Sequence, residues 1–116
     1  MSEVAFFEVI STDAPRALKF YAEMFGRETA ADPAWEGYAL LQNGPDQAPI
    51  GGIGPSSAPE DTGVKLYVQV DDLDAALRQA EKLGGKQLVP PTDLPGDYGR
   101  FAVFADPDGN PVGLSS

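Results

Sequence analysis

Glu8, Lys65 and Tyr67 are the side chains whose types and spacing best suit proton transfer. A carboxylate and an ammonium held together in an apolar cleft shift each other's proton affinity and can serve as acid and base. A tyrosine beside them can orient a ligand oxygen with its hydroxyl, or simply pack its ring. The same glutamate and lysine can equally form a structural ion pair or reach solvent at a cavity mouth. Histidine and cysteine are both absent. The commonest metal ligand, the usual neutral-pH base, the thiolate nucleophile, disulfides and zinc–sulfur sites are therefore excluded. Any metal would need oxygen ligands, as Mg, Ca or Mn take.

Other residues suit binding better than catalysis. Trp35 lies in the loop DPAWEG, where it can close over a ligand or cover an apolar edge. Tyr98 and Arg100 lie in PGDYGR, a turn that could act as a lid, and Arg100 could meet a ligand carboxylate. The formal net charge is −10, from 8 basic and 18 acidic residues. Such a chain repels phosphate backbones, which argues against nucleic acid; it gains solubility and draws in cations.

The elements that must position these residues come in two copies. AFFEVISTDAPRALKFYAEMFG (residues 5–26) aligns without a gap on VKLYVQVDDLDAALRQAEKLGG (64–85). Val9/Val68, Asp13/Asp72, Ala17/Ala76, Leu18/Leu77 and Gly26/Gly85 are identical. YALLQNGPDQAPIG (38–51) aligns on FAVFADPDGNPVG (101–113) with one gap at Gly44. Each copy reads as a strand, a helix and three short strands. The strands are expected near 4–11, 28–30, 36–42 and 48–53, then 64–70, 86–89, 100–105 and 111–115. Asp13 and Pro15 start the first helix and Asp71, Asp72 and Asp74 the second; Gly26 and Gly84 with Gly85 end them. DPDGN is a hairpin turn with no catalytic part, and residues 43–53 hold its diverged twin. A linker is expected at about 55–63, between module one (1–54) and module two (64–116) of a single domain spanning 1–116.

Alternation assigns the faces. Phe7 and Val9, and Leu66, Val68 and Val70, should meet helix stripes made of Ala17, Leu18, Tyr21 and Phe25, and of Leu73, Ala76, Leu77, Ala80 and Leu83. The opposite face carries Phe6, Glu8, Tyr38, Leu40, Lys65, Tyr67, Phe101 and Val103, with Gly51 and Gly113 at its floor. These residues line a trough or fill the core between the halves. Across that trough Glu8 and Lys65 would pair. There is no apolar run of about 18 residues to span a membrane and no signal-peptide pattern, so a cytoplasmic location is expected.

A doubled β-α-β-β-β order carried by STDAPRALKFYAEMFG, VDDLDAALRQAEKLGG and GRFAVFADPDGNPVGL resembles the vicinal oxygen chelate superfamily, the glyoxalase/bleomycin-resistance/dioxygenase fold. The resemblance implies an α+β fold: two tandem modules forming a curved mixed sheet, an incomplete barrel, around a trough with helices outside. Members of the family hold a divalent ion at four points, with His or Gln at the module starts and Glu at the module ends. By position these are Phe6, Lys65, Gly51 and Gly113 in this chain. A phenyl, an ammonium and two glycines offer an ion nothing, and only Glu8 could support a weak oxygen-ligated ion. The expectation is no cofactor and a small cationic or aromatic ligand bound without metal, as in drug sequestration. Trp35, Tyr38, Tyr98, Arg100 and Phe101 would be among its contacts. A metal-independent isomerase, lyase or hydrolase using Glu8, Lys65 or Tyr67 is the alternative, and a non-catalytic partner domain a third reading. The resemblance also implies a homodimer.

Overall fold

The computed structural model describes residues 3–57, 62–96 and 99–116. The chain divides into two compact units, one of them Phe6–Val64 and the other built on Lys65–Ser116. Module one contains β1 (Glu3–Ser11), α1 (Ala14–Phe25), β2 (Thr29–Ala31), β3 (Ala39–Leu41) and β4 (Gly51–Pro55). Module two contains β5 (Gly63–Gln69), α2 (Leu73–Lys82), β6 (Lys86–Asp93), β7 (Arg100–Ala105) and β8 (Pro111–Ser115). The α+β class and the repeated order are as the sequence implies.

Local chemistry sets both helices. The Asp13 carboxylate accepts from the Arg16 backbone N–H at 3.1 Å, Pro15 sits in the first turn, and Gly26 ends α1 in the left-handed conformation (φ 62°). Asp72 caps α2 through the Ala75 N–H at 3.1 Å, and Asp74 lies in its first turn. The α2 cap itself is Leu83, whose backbone has already left the helix (φ −92°, ψ 9°).

In module one the strands run β2-β3-β4-β1; β4 is parallel to β1 and antiparallel to β3. In module two they run β6-β7-β8-β5, with β5 and β8 parallel. α1 covers Val9, Leu41 and Ile53, with Phe7, Ala17, Leu18 and Tyr21 packed around them. α2 covers Ala102 and Leu114 with its own Leu73 and Leu77, joined by Val68, Val70, Ala76 and Phe104. These clusters bury the apolar area that stabilises each module.

Phe25, Leu66, Ala80 and Leu83, expected on the helix-facing sides, lie outside them. Phe25 is half exposed because it is the last residue of α1; its ring stacks on Tyr21, centroids 6.2 Å apart. Leu83 is exposed because it has left the helix, and Leu66 because α2 packs at the Val68 and Val70 end of β5. Strand bounds shift as well. A 3-10 turn at Pro33–Trp35, followed by Glu36 (φ 52°) and Gly37 (φ 91°), shortens β3 to three residues. β4 starts later than expected and takes in Pro55, and β5 takes in Gly63. β6 runs on through Pro90 and Pro91. Its register shifts between Gln87 and Val89 and again between Val89 and Thr92, as an edge strand can tolerate.

The DPDGN turn is closed by one aspartate. The Asp106 carboxylate accepts from the backbone N–H groups of Asp108 and Asn110 and from Asn110 Nδ2, each at 2.9 Å, and Gly109 takes φ 89°. The Asn110 side chain first, then its backbone N–H, holds this carboxyl below the usual aspartate value. A depressed value means the charged form is favoured on folding. The contribution is therefore full above the unfolded-state value and lost as pH falls through the native one. The carboxyl chemical shift of Asp106 should titrate below that of an aspartate in a model peptide. Asp106→Ala should be less stable than wild type at pH 7, with the difference shrinking in acid. Truncating the fully buried Leu41 to Ala should cost about 2–5 kcal/mol in a denaturant titration.

Candidate functional site

Strand register decides which residues share the face away from each helix. In module one Glu8 stands opposite Gly52, and Gly52 opposite Leu40. Residues opposite one another point to the same side of a sheet, so Glu8 and Leu40 flank a strand position with no side chain. Phe6 and Ile10 share that side by alternation. One row along, Ile10 stands opposite Gly54. Two successive places on this side of β4 are thus empty.

Tyr38 fills them. A Cβ on Gly52 would overlap the Tyr38 hydroxyl and stand 2.5 Å from its Cε1 and Cζ. A Cβ on Gly54 would stand 2.6 Å from Cδ2 of the same ring. Only glycine at both positions lets the ring lie against the backbone. Its hydroxyl then donates to Glu8 Oε2 at 2.8 Å. Glu8 is only 8% exposed, a buried carboxylate held by a phenol.

The floor glycine is accordingly Gly52 and not the expected Gly51. Gly51 stands opposite Phe7, and its missing Cβ would come within 2.8 Å of the Phe7 ring on the helix side. A slip of one residue exchanges the faces.

In module two Gly113 holds the corresponding place on its own sheet. It lies between Tyr67 and Val103 in register, and its missing Cβ would meet the Tyr67 ring, with Cγ at 2.7 Å. Tyr67 is buried. Lys65 shares its side by alternation, and Phe101 that of Val103. Glu8, Tyr38 and Leu40 thus come together in module one, and Tyr67, Val103 and Phe101 in module two. Trp35 ends the 3-10 turn and is half-buried. Arg100 donates from Nε to Asp93 Oδ1 at 2.9 Å on the exposed β6–β7 edge, so its guanidinium is engaged in a surface pair. Tyr98 lies outside the described residues.

The resemblance places metal ligands at Phe6, Lys65, Gly51 and Gly113. Phe6, Gly51 and Gly113 carry no oxygen or nitrogen donor in their side chains, and neither does Gly52, which stands opposite Glu8. Among the described residues no group of three or more acidic side chains gathers as an ion cage.

The sequence reading missed Gly52, Gly54 and the partnership of Tyr38 with Glu8. The glycine spacing in GGIG was the available signal, since an i, i+2 pair of glycines empties one face of a strand. It also missed a cavity of about 390 Å³ on the helix side of module one, lined by Ala14, Leu18, Asp32, Pro33, Ala39 and Ile53 among others. Asp32 is its one charged lining residue, and that carboxylate accepts from the Ala34 backbone N–H at 2.8 Å.

Residues 6–115 match the glyoxalase-like domain family. The chain belongs to that family. A glyoxylase-like domain-containing protein of Didymella fabae is 32% identical over 116 residues, covering 93% of this chain and 88% of that protein. The anthracycline biosynthesis protein DnrV of Streptomyces peucetius is 31% identical over 122 residues, covering 90% of this chain but 43% of DnrV. This chain thus spans less than half of that relative's length. Among solved structures, the Mn(II)-bound glyoxalase of Novosphingobium aromaticivorans superposes with a TM-score of 0.70 over 100% of this chain and 40% of that one. At 22% identity that likeness is one of fold, the vicinal oxygen chelate fold. Among the described residues no helix is long and apolar enough to cross a membrane.

A methyl group added at Gly52 must displace the Tyr38 ring or bend β4. Gly52→Ala should destabilise the protein by about 1–3 kcal/mol in urea and alter its near-ultraviolet tyrosine dichroism.

Proposed function

We propose that this glyoxalase-like chain binds a small organic cation with an aromatic body, without a metal, on the module-one face around Glu8 and Tyr38. One observation carries the reading: a buried carboxylate, oriented by a tyrosine hydroxyl, beside an aromatic ring laid on bare backbone. A buried carboxylate attracts a cationic group, and Leu40 offers apolar contact to its body. The net charge of −10 raises the local concentration of cations around the protein. The four positions at which the resemblance places metal ligands, Phe6, Lys65, Gly51 and Gly113, hold no carboxylate or imidazole, which supports binding without a metal. A relative named for anthracycline biosynthesis supports a small organic molecule as the class of ligand. Sequestration of such a molecule by a cytoplasmic homodimer completes the proposal.

The test is isothermal titration against planar organic cations: an anthracycline, an acridine and a phenanthridinium. Saturable binding to at least one of them is expected, unchanged by EDTA. Glu8→Gln should weaken it roughly 10- to 100-fold, the worth of a hydrogen bond to a charged group, about 1.5–3 kcal/mol. Absence of binding across the panel would overturn the reading. So would binding that requires a divalent ion, or that Glu8→Gln leaves intact.

A further inference from the structure

We infer that Tyr38 occupies, within its own chain, a slot shaped for an aromatic ring bearing a hydrogen-bond donor, and that a phenolic or aryl-amine group of the ligand takes its place. The inference rests on the reading of this face as the binding face and names the part of the ligand it would recognise.

The slot has a floor and two closed ends. Its floor is the backbone of β4 at Gly52 and Gly54, two residues apart and so about 6.6 Å along the strand, close to the length of a phenol ring with its substituents. The ring spans both positions: Cδ2 and Cε2 lie 2.6 and 3.1 Å from where a Gly54 Cβ would be, and Cε1, Cζ and the hydroxyl crowd the Gly52 position. Ile10 walls the Gly54 end, its Cδ1 3.4 Å from the same point. Glu8 closes the other end, where it accepts the hydroxyl proton at 2.8 Å. The Glu8 oxygen accepts a hydrogen bond at this end, so the slot selects a ring with an O–H or N–H over one without.

The tether of this ring differs from that of an ordinary core side chain. Tyr38 precedes β3 and lies outside its ladder pairs, and its backbone N–H donates to Trp35 O at 3.1 Å within the turn. Glu36 and Gly37 just before it both have positive φ, 52° and 91°. Gly37 gives the chain a joint at which the ring can swing out while β3 keeps its register. The ring is half-buried, so one side of it already faces outward.

Tyr38→Ala tests this by vacating the slot. With p-cresol as the probe, the variant should bind saturably by titration and by ligand-observed NMR, and p-cresol should raise its melting temperature. Wild-type protein should show neither effect at the same concentration. Toluene, which lacks the donor, should bind at least tenfold more weakly, and adding Glu8→Leu, which removes the acceptor, should abolish that preference. If Tyr38→Ala is unfolded alone, p-cresol present during refolding should restore the native dichroism spectrum. A folded variant that ignores p-cresol, one that takes toluene equally well, or an unfolded variant that p-cresol does not rescue would each overturn the inference. Binding of p-cresol by the variant, with no organic cation bound by wild type, would uphold the slot and overturn the proposed function alone. Cation binding by wild type, with a variant indifferent to p-cresol, would do the reverse.

Discussion

An aromatic ring resting on a glycine of the neighbouring strand is the contact on which both modules are built. In module one β4 lies between two such rings, Phe7 over Gly51 on the helix side and Tyr38 over Gly52 and Gly54 on the other. In module two Tyr67 lies over Gly113. Each glycine weakens a strand by roughly 0.5–1 kcal/mol relative to alanine. Burial of most of an aromatic ring offsets that cost, and the arrangement works in one register only, since a slip of one residue would bring side chains under the rings. The parallel pairing of β1 with β4 is thereby locked, and with it the position of Glu8.

Much of the scaffold was legible because its determinants are local. The Asp13 and Asp72 caps, Gly26 after α1, β7, β8 and the Asp106-centred turn all depend on residues within about one turn of each other. Features set by distant residues were not. The hydrogen bond from Tyr38 to Glu8 joins residues 30 apart in sequence, and no periodicity announces it. β4 lacks the alternation that marks a strand, because GGIG has almost no side chains to alternate. The floor residue was misplaced from Gly52 to Gly51 for the same reason. β6 was cut short at its prolines, which an edge strand accommodates and a central one would not.

The repeat shows how one scaffold carries two different faces. Where module one sets a carboxylate, Glu8, in the row of its floor glycine, module two sets the ring of Tyr67. Where module one begins its strand face with Phe6, module two has Lys65. The helix-facing positions changed less, Val9 and Val68 being identical. Packing against a helix constrains one side of each sheet. The other side has been freer to acquire new chemistry, the divergence expected when function lies in a site grafted on a fold.

Two strands that end the order of their own modules have a consequence for solubility. β2 and β6 each have one neighbour within the module, so each offers unpaired backbone groups to a passing chain. β2 is three residues long, and β6 is interrupted by Pro90 and Pro91 and by two breaks in register. Neither provides the long flat template that strand addition or fibril growth requires. Bare backbone at these two strands is thus kept from templating a further strand.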